Sequence, residues 1–343
     1  MTALATRITA GFALGRAVAP GLVLASTVAL ASLFISEHYG APSMLLALLL
    51  GIALNFLSDD VRCAPGIAFG ARTVLRIGVA LLGLRISFDM ALDLGWPVVI
   101  MVVGGVFATI AFGMFIARFF GFGPRFAVLS SGSVAICGAS AALAIAAVLP
   151  QDKNSQDQLV FTVVGVTILS TLAMIIYPIL GSFVAPTDTT IGIYLGATIH
   201  DVAQVVGAGF SVSETAGETA TLVKLIRVAM LAPVVVVIAL VVRSKMGAGA
   251  ETMGASQPIV PFFLIGFIVL ATLNSLVTLP EAVTTLAADA SRTLLLVAIA
   301  AVGLKTIPKD LLKVGKVAAL LLVVETVFLA TFTWVGLMMI GAI

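Results

Sequence analysis

The chain has 343 residues, of which 61% are hydrophobic and 10% charged, with a mean hydropathy of +1.23; water-soluble domains carry about 25% charged residues, so a globular enzyme of the aqueous phase is excluded. The formal net charge is only +2 and no basic patch with interleaved aromatics occurs, which argues against a nucleic-acid partner. The two cysteines, Cys63 and Cys137, form neither a disulfide framework nor a zinc spacing; both read as free thiols, and nothing calls for a metal or a cofactor.

This is the composition of an all-α integral membrane protein. A crossing needs roughly 20 apolar residues, which leaves room for about eleven transmembrane helices and a single membrane domain over residues 1–343. Spans are predicted near 19–37, 42–57, 71–88, 97–118, 127–149, 159–182, 191–210, 219–243, 259–277, 291–305 and 317–341. Arg7 and Arg16 precede the first apolar run without a clear small-residue cleavage site, so the first helix reads as retained.

With the N-terminus inside, Arg7, Arg16, Arg62, Arg72, Arg76, Arg118, Arg125, Arg243, Lys245, Lys305, Lys309, Lys313 and Lys316 fall on the cytoplasmic side. Arg85, Lys153 and Arg292 fall on the other. Basic residues concentrate in cytoplasmic loops, so the expected orientation in a bacterial inner membrane is a cytoplasmic N-terminus and, for an odd helix count, a periplasmic C-terminus.

Shifting the chain by 220 residues lays Arg72–Gly95 over Arg292–Gly315: Arg72, Thr73, Gly83 and Gly95 recur at Arg292, Thr293, Gly303 and Gly315, and Arg85 meets Lys305. Leu54-Asn55 and Leu273-Asn274 correspond with one residue of slippage, giving repeat-related segments at 42–120 and 261–343. Seven spans separate the third helix from the tenth, so the copies are inverted. Inverted repeats mark alternating-access carriers, whose sites lie near the midplane on discontinuous helices.

The core motifs fall in 127–150 and 191–233. In SSGSVAICGASAALAIAAVLP (130–150), the residues Ser130, Ser131, Gly132, Ser133, Gly138 and Ser140 make a polar run of small side chains, and all but Ser130 are candidate substrate contacts together with Cys137. A helix broken there presents free N–H groups and a positive dipole end to an anion, with Ser131, Ser133 and Ser140 adding donors; close helix packing through small residues is the alternative. GATIHDVAQVVGAG (196–209) aligns with it, Ile199-His200-Asp201 lying over Ile136-Cys137-Gly138. Helical spacing puts Gly196, His200 and Gln204 on one stripe, which reads as cavity lining or as a polar contact between helices.

In TATLVKLIRVAMLAP (219–233), Lys224 and Arg227 share a helical face. Lys224 could snorkel to a helix end, whereas Arg227 is about 12 Å into its helix at 1.5 Å per residue. Two cations want an anion, either Asp201 or a substrate, with Arg227 as the main anchor. Glu325 is the remaining acid in an apolar span, with no partner in view.

These segments resemble a bacterial family of sulfate exporters over nearly the whole chain. The resemblance rests on LRIGVALLGLRISF (75–88), AICGASAALA (135–144), TLAMIIYPILG (171–181), GATIHDVAQVVGAG (196–209), VKLIRVAMLAP (223–233), PFFLIGFIVLATLNS (261–275) and AIAAVGLKT (298–306). The family is distantly similar to the bile-acid symporter and sodium/proton antiporter superfamily, which implies a panel of scaffold helices and a core of crossed, broken helices. It also implies a small oxyanion or sulfonate as substrate. A plain five-plus-five repeat does not fit, because the motif helices are the fifth and seventh spans whereas the shift pairs the third with the tenth.

The sequence therefore predicts a secondary carrier for a small anion, sulfate or a related sulfur oxyanion, working by alternating access in the lipid bilayer. A sodium- or proton-coupled importer of a small organic anion, with Asp201 and Gln204 serving the cation, is the alternative, and homodimerisation stays open. An intramembrane enzyme is the remote reading: His200-Asp201 has no HExxH, GxSxG or ligand cluster beside it, so no catalytic residue is expected.

Overall fold

The computed structural model describes residues 2–39, 42–85, 92–150, 153–184, 187–246, 262–277, 279–306 and 316–343. In chain order the helices are α1 (Thr2–Tyr39), α2 (Ser43–Ala53), α3 (Ala64–Leu82), α4 (Gly95–Ala117), α5 (Pro124–Ala135), α6 (Ala139–Val148), α7 (Ser155–Val184), α8 (Asp188–Thr198), α9 (Val202–Val212), α10 (Glu214–Ala229), α11 (Leu231–Met246), α12 (Phe262–Leu276), α13 (Glu281–Lys305) and α14 (Lys316–Met339). Lys309, Lys313 and the parts of the repeat match at 86–91 and 307–315 lie outside the described residues, as do the side chains of Arg7 and Lys245.

Local chemistry sets several helix starts. Pro124 opens α5 at a position whose N–H would have no helical partner. Thr187, Asp201 and Ser213 each turn a side-chain oxygen onto a free N–H of the following helix, at Thr190, Ala203 and Ala216.

Among the described residues, 7 stretches are long and apolar enough to cross a membrane: Gly15–Tyr39, Ala64–Leu82, Gly95–Phe120, Asp157–Gly181, Glu214–Ser244, Ala282–Lys305 and Lys316–Met339. The predicted spans at 127–149 and 191–210 are each two helices, α5 with α6 and α8 with α9, while α2 and α12 are shorter apolar helices.

The chain divides into two compact units, residues 1–85 with 266–308 and residues 86–265 with 309–343. In the first, α13 packs closely on α2: a Cβ on Gly303 would stand 2.4 Å from the Leu48 carbonyl oxygen, and one on Gly51 2.6 Å from that of Ala300. Gly83, at the end of α3, faces α12 in the same manner, with a would-be Cβ 2.5 Å from the Phe267 oxygen. Ser291 Oγ ties α13 to α3 through the Gly78 carbonyl at 2.7 Å.

In the second unit, Val98, Met101 and Val102 of α4, Ile193 and Ala197 of α8, Val223 of α10 and Leu337 of α14 form one buried cluster. Val134 of α5, Val166 of α7, and Leu322 and Leu329 of α14 form another. Phe112 and Phe328 stack at 4.0 Å between α4 and α14. Both interrupted pairs, and therefore every residue of the predicted site, belong to this unit.

Candidate functional site

A helix ends with about four carbonyls lacking intrahelical partners, and two such ends lie buried at the interruptions. At the end of α5, the Gly132 carbonyl accepts from Ile136 N–H at 3.2 Å and that of Ser133 from Gly138 N–H at 2.8 Å. The remainder are satisfied from α10. Arg227 donates Nε–H to the Ala135 oxygen at 3.0 Å and Nη2 to Val134 and Ala135 at 2.9 and 2.7 Å, while Lys224 Nζ donates to Ile136 at 2.7 Å.

The same cations reach the end of α8. Arg227 Nη1 donates to the Gly196 and Ile199 oxygens at 3.3 and 3.2 Å, and Lys224 Nζ to Ile199 at 2.9 Å. Cations near helix C-termini are electrostatically favoured, and both side chains are buried, at 0% and 1% exposure for Lys224 and Arg227. The snorkelling reading of Lys224 therefore does not hold.

Position explains the reach. α10 lies against α8 with almost no space between backbones: a Cβ on Gly196 would stand 2.4 Å from the Ala220 oxygen. That approach brings the Lys224 and Arg227 face level with both helix ends.

Gly138 carries φ 63° and ψ −123°, a region open to glycine and strained for other residues. There the two interruptions meet, since a Cβ on Gly138 would be 3.5 Å from the Cβ of His200.

The stripe expected of Gly196, His200 and Gln204 is replaced by three directions, because the helix breaks between Thr198 and Val202 and the 3.6-residue period does not carry across. Gly196 faces α10. His200 Nε2 meets Thr326 Oγ1 of α14 at 3.0 Å; Thr326 gives its own proton to the Leu322 oxygen at 2.8 Å, so His200 is the donor. Gln204 turns to α7, accepting from Ser170 Oγ at 3.0 Å and donating to Thr171 Oγ1 at 3.2 Å.

Asp201, expected beside Lys224 or Arg227, is close enough for its charge to act on Lys224, and it also caps α9: Oδ1 accepts Ala203 N–H at 2.8 Å, and its own N–H goes to Ser170 Oγ at 2.9 Å. Ser131 and Ser133, expected as anion donors, give their hydroxyls to Ala127 and Leu129 of their own helix at 2.6 and 2.5 Å. Gly132 makes room for Ile145 of α6, whose Cδ1 lies 2.4 Å from a would-be Cβ. Cys137 is buried within the first interruption.

The Arg227 fork, expected to receive an anion, has a carbonyl on each of its five donors. Two of the three Lys224 donors are likewise committed. The accessible part of the site is the opposite lip: Ser140 is exposed and Ala139, Asp201 and Val202 are partly so, at the N-terminal ends of α6 and α9. Those ends carry positive dipole ends that suit an anion, although Asp201 already takes Ala203 N–H at the start of α9.

Sequence reasoning passed over Ser170, Thr171 and Thr326, which position Asp201, Gln204 and His200. The signal for the first two was a Ser-Thr pair inside an apolar span; Thr326 had one in its neighbour Glu325.

The chain is similar to other bacterial membrane proteins along most of its length. It is 57% identical over 323 residues to the UPF0324 membrane protein TauZ of Paracoccus denitrificans, covering 94% of this chain and 95% of that protein. It is 54% identical over 322 residues to the UPF0324 membrane protein RB0971 of Rhizobium meliloti, covering 94% and 93%. With the UPF0324 membrane protein CT0845 of Chlorobaculum tepidum it shares 49% identity over 312 residues, covering 91% and 87%. No solved structure matches. Residues 20–322 match the model of the family described as conserved hypothetical protein 698. By that match and by these relatives, the chain belongs to the UPF0324 membrane protein family, conserved hypothetical protein 698.

Proposed function

We propose that this protein is a secondary carrier for a small anion, sulfate or a related sulfur oxyanion or sulfonate, working by alternating access without covalent chemistry. The observation that carries the reading is the meeting of two interrupted helices, with buried cations behind them and the N-terminal ends of α6 and α9 at the accessible lip. Helix ends count as about half a charge each, so the two buried ends and the two accessible ends offset one another. Lys224 and Arg227 against Asp201 then leave a formal excess of about one positive charge, which one monovalent sulfonate neutralises and which sulfate, with two negative charges, exceeds by one.

Further features agree with a carrier. Taking each interrupted pair as one crossing, and α2 and α12 as crossings, brings the seven long spans to eleven. The Gly83 and Gly303 contacts support an inverted repeat, since each copy's glycine packs on the other copy's preceding helix. In this reading the first unit is the scaffold and the second the core, in a bacterial inner membrane with the N-terminus cytoplasmic and the C-terminus periplasmic. The resemblance to sulfate exporters directs the substrate class.

Uptake and counterflow of labelled sulfate and of a short sulfonate, isethionate, into proteoliposomes tests the proposal. Saturable counterflow of either is expected. Its absence for both, from protein shown to be folded by a cooperative melting transition, overturns the carrier.

A further inference from the structure

Glu325 of α14 has no accessible surface. Oε1 accepts from Ser130 Oγ of α5 at 2.9 Å, and Oε2 has no hydrogen-bond partner. The space is made by Gly113 of α4, where a Cβ would stand 2.6 Å from Oε1 and 2.3 Å from Ser131 Cβ. Four residues earlier, on the same face of α4, Thr109 carries another buried hydroxyl without a partner.

Among the described residues, no counter-ion stands opposite. α4 has no titratable residue, and Arg118 beyond it lies over the Phe115 and Phe119 rings at 4.2 and 4.8 Å. Arg125 of α5 is bonded to the Pro150 oxygen and to Gln158. α7 brings Asp157, exposed in its first turn, and Tyr177; α8 brings Asp188, also exposed, and Tyr194, whose ring meets that of Tyr177 at 5.6 Å. Lys316 is nine residues before Glu325 on α14 itself, and exposed. His200 is bonded to Thr326, the next residue. None of these is bonded to Glu325 among the described residues.

A carboxylate held by one hydroxyl, with its second oxygen bare in an apolar surround, lacks what a buried charge needs. A proton on Oε1 removes the charge and is donated to Ser130 Oγ, whose own hydrogen then goes to the Ala127 oxygen at 3.2 Å. A metal cation would ask for several oxygen ligands, and the unpartnered side-chain oxygens here are those of Glu325 and Thr109.

We infer that Glu325 is a proton-binding site of this protein, exchanging a proton with water on either side during the transport cycle. The placement gives it leverage on both interruptions. Ser130 is one turn before Val134, whose carbonyl Arg227 holds, and Thr326 holds His200. A change of charge at Glu325 therefore acts on α5 directly and on the α8–α9 interruption through its neighbour.

The coupling role rests on the carrier reading, and the two are tested apart. Infrared difference spectra of the purified protein between alkaline and acid pH should show a protonated-carboxyl band that is absent in Glu325→Gln and displaced in Glu325→Asp. A wild-type spectrum with no band missing from Glu325→Gln overturns the site whatever the transport result. In proteoliposomes, Glu325→Gln should retain exchange of labelled for unlabelled sulfate or isethionate, which also shows that it is folded, and should lose accumulation driven by an imposed pH gradient. Gradient-driven accumulation equal to wild type overturns the coupling. Should Glu325→Gln show no exchange, the gradient test passes to Glu325→Asp, whose accumulation must follow the pH at which its own band appears; accumulation independent of it overturns the coupling. If the wild type moves neither anion, the carrier reading falls and the infrared result alone decides the proton site.

Discussion

Gly138 faces His200 where the two interrupted helices meet, with a would-be Cβ on Gly138 standing 3.5 Å from that of His200. That distance is an ordinary van der Waals contact, so the space there tolerates a methyl group. The backbone does not: at φ 63° and ψ −123° the chain is strained for any residue with a side chain. The same turn sends Gly138 N–H back to the Ser133 carbonyl at 2.8 Å.

Gly138→Ala is therefore expected to lower stability by about 1–3 kcal/mol through strain alone. Thermal unfolding of the purified protein in detergent measures it. A melting temperature equal to wild type would show that the chain turns at this point without a left-handed residue.

Arg227→Lys is expected to act on the empty protein. A lysine cannot reproduce five donors in a planar fork, and carbonyls of Val134, Ala135 and Gly196 lose partners, at about 2–4 kcal/mol. The melting temperature without ligand should fall while the rise caused by sulfate stays near that of wild type; Lys224→Met should diminish that rise. A wild-type baseline with the sulfate effect gone in Arg227→Lys would return the guanidinium to the anion.

Asp201 has a cap to serve as well as a charge, and two substitutions separate them. Asparagine caps nearly as well as aspartate, whereas alanine loses about 1 kcal/mol. Asp201→Ala should be less stable than Asp201→Asn, which should melt near wild type. If Asp201→Asn then transports as wild type does, the carboxylate charge has no part in the cycle.

The proposed orientation rests on the distribution of basic residues and is tested by labelling. Single cysteines at Lys316→Cys and Thr215→Cys, both at exposed positions, in a chain with Cys63→Ala and Cys137→Ala, should react with a membrane-impermeant reagent from opposite sides. Labelling of both from one side would refute the arrangement.

Much of the core was legible because hydrocarbon makes polar residues conspicuous. Ile136-Cys137-Gly138 and Ile199-His200-Asp201 align in the sequence, and the helices do break at both. The contacts were not legible, for two physical reasons. A helical stripe such as Gly196, His200 and Gln204 assumes one continuous helix, and the break at Ile199 turns each residue to a different neighbour. The donors of Lys224 and Arg227 carry no mark of their acceptor, so a substrate oxyanion and a buried carbonyl look alike until α10 is placed against α8. Ser131 and Ser133 mislead similarly, since a hydroxyl in a helix can turn back to the carbonyl four residues earlier.

The cations that complete the ends of α5 and α8 come from α10, and this sets an order on biogenesis. When the ribosome has made residues 124–212, both interrupted segments exist but the carbonyls of Val134, Ala135, Ile136, Gly196 and Ile199 still lack the donors they have in the finished protein. Bare carbonyls in hydrocarbon cost several kcal/mol each. These segments therefore stay in contact with water or with the insertion machinery until Arg227 has emerged. Nascent chains arrested before Lys224 should leave both interruptions open to water-soluble reagents, and those extended past the end of α10 should close them.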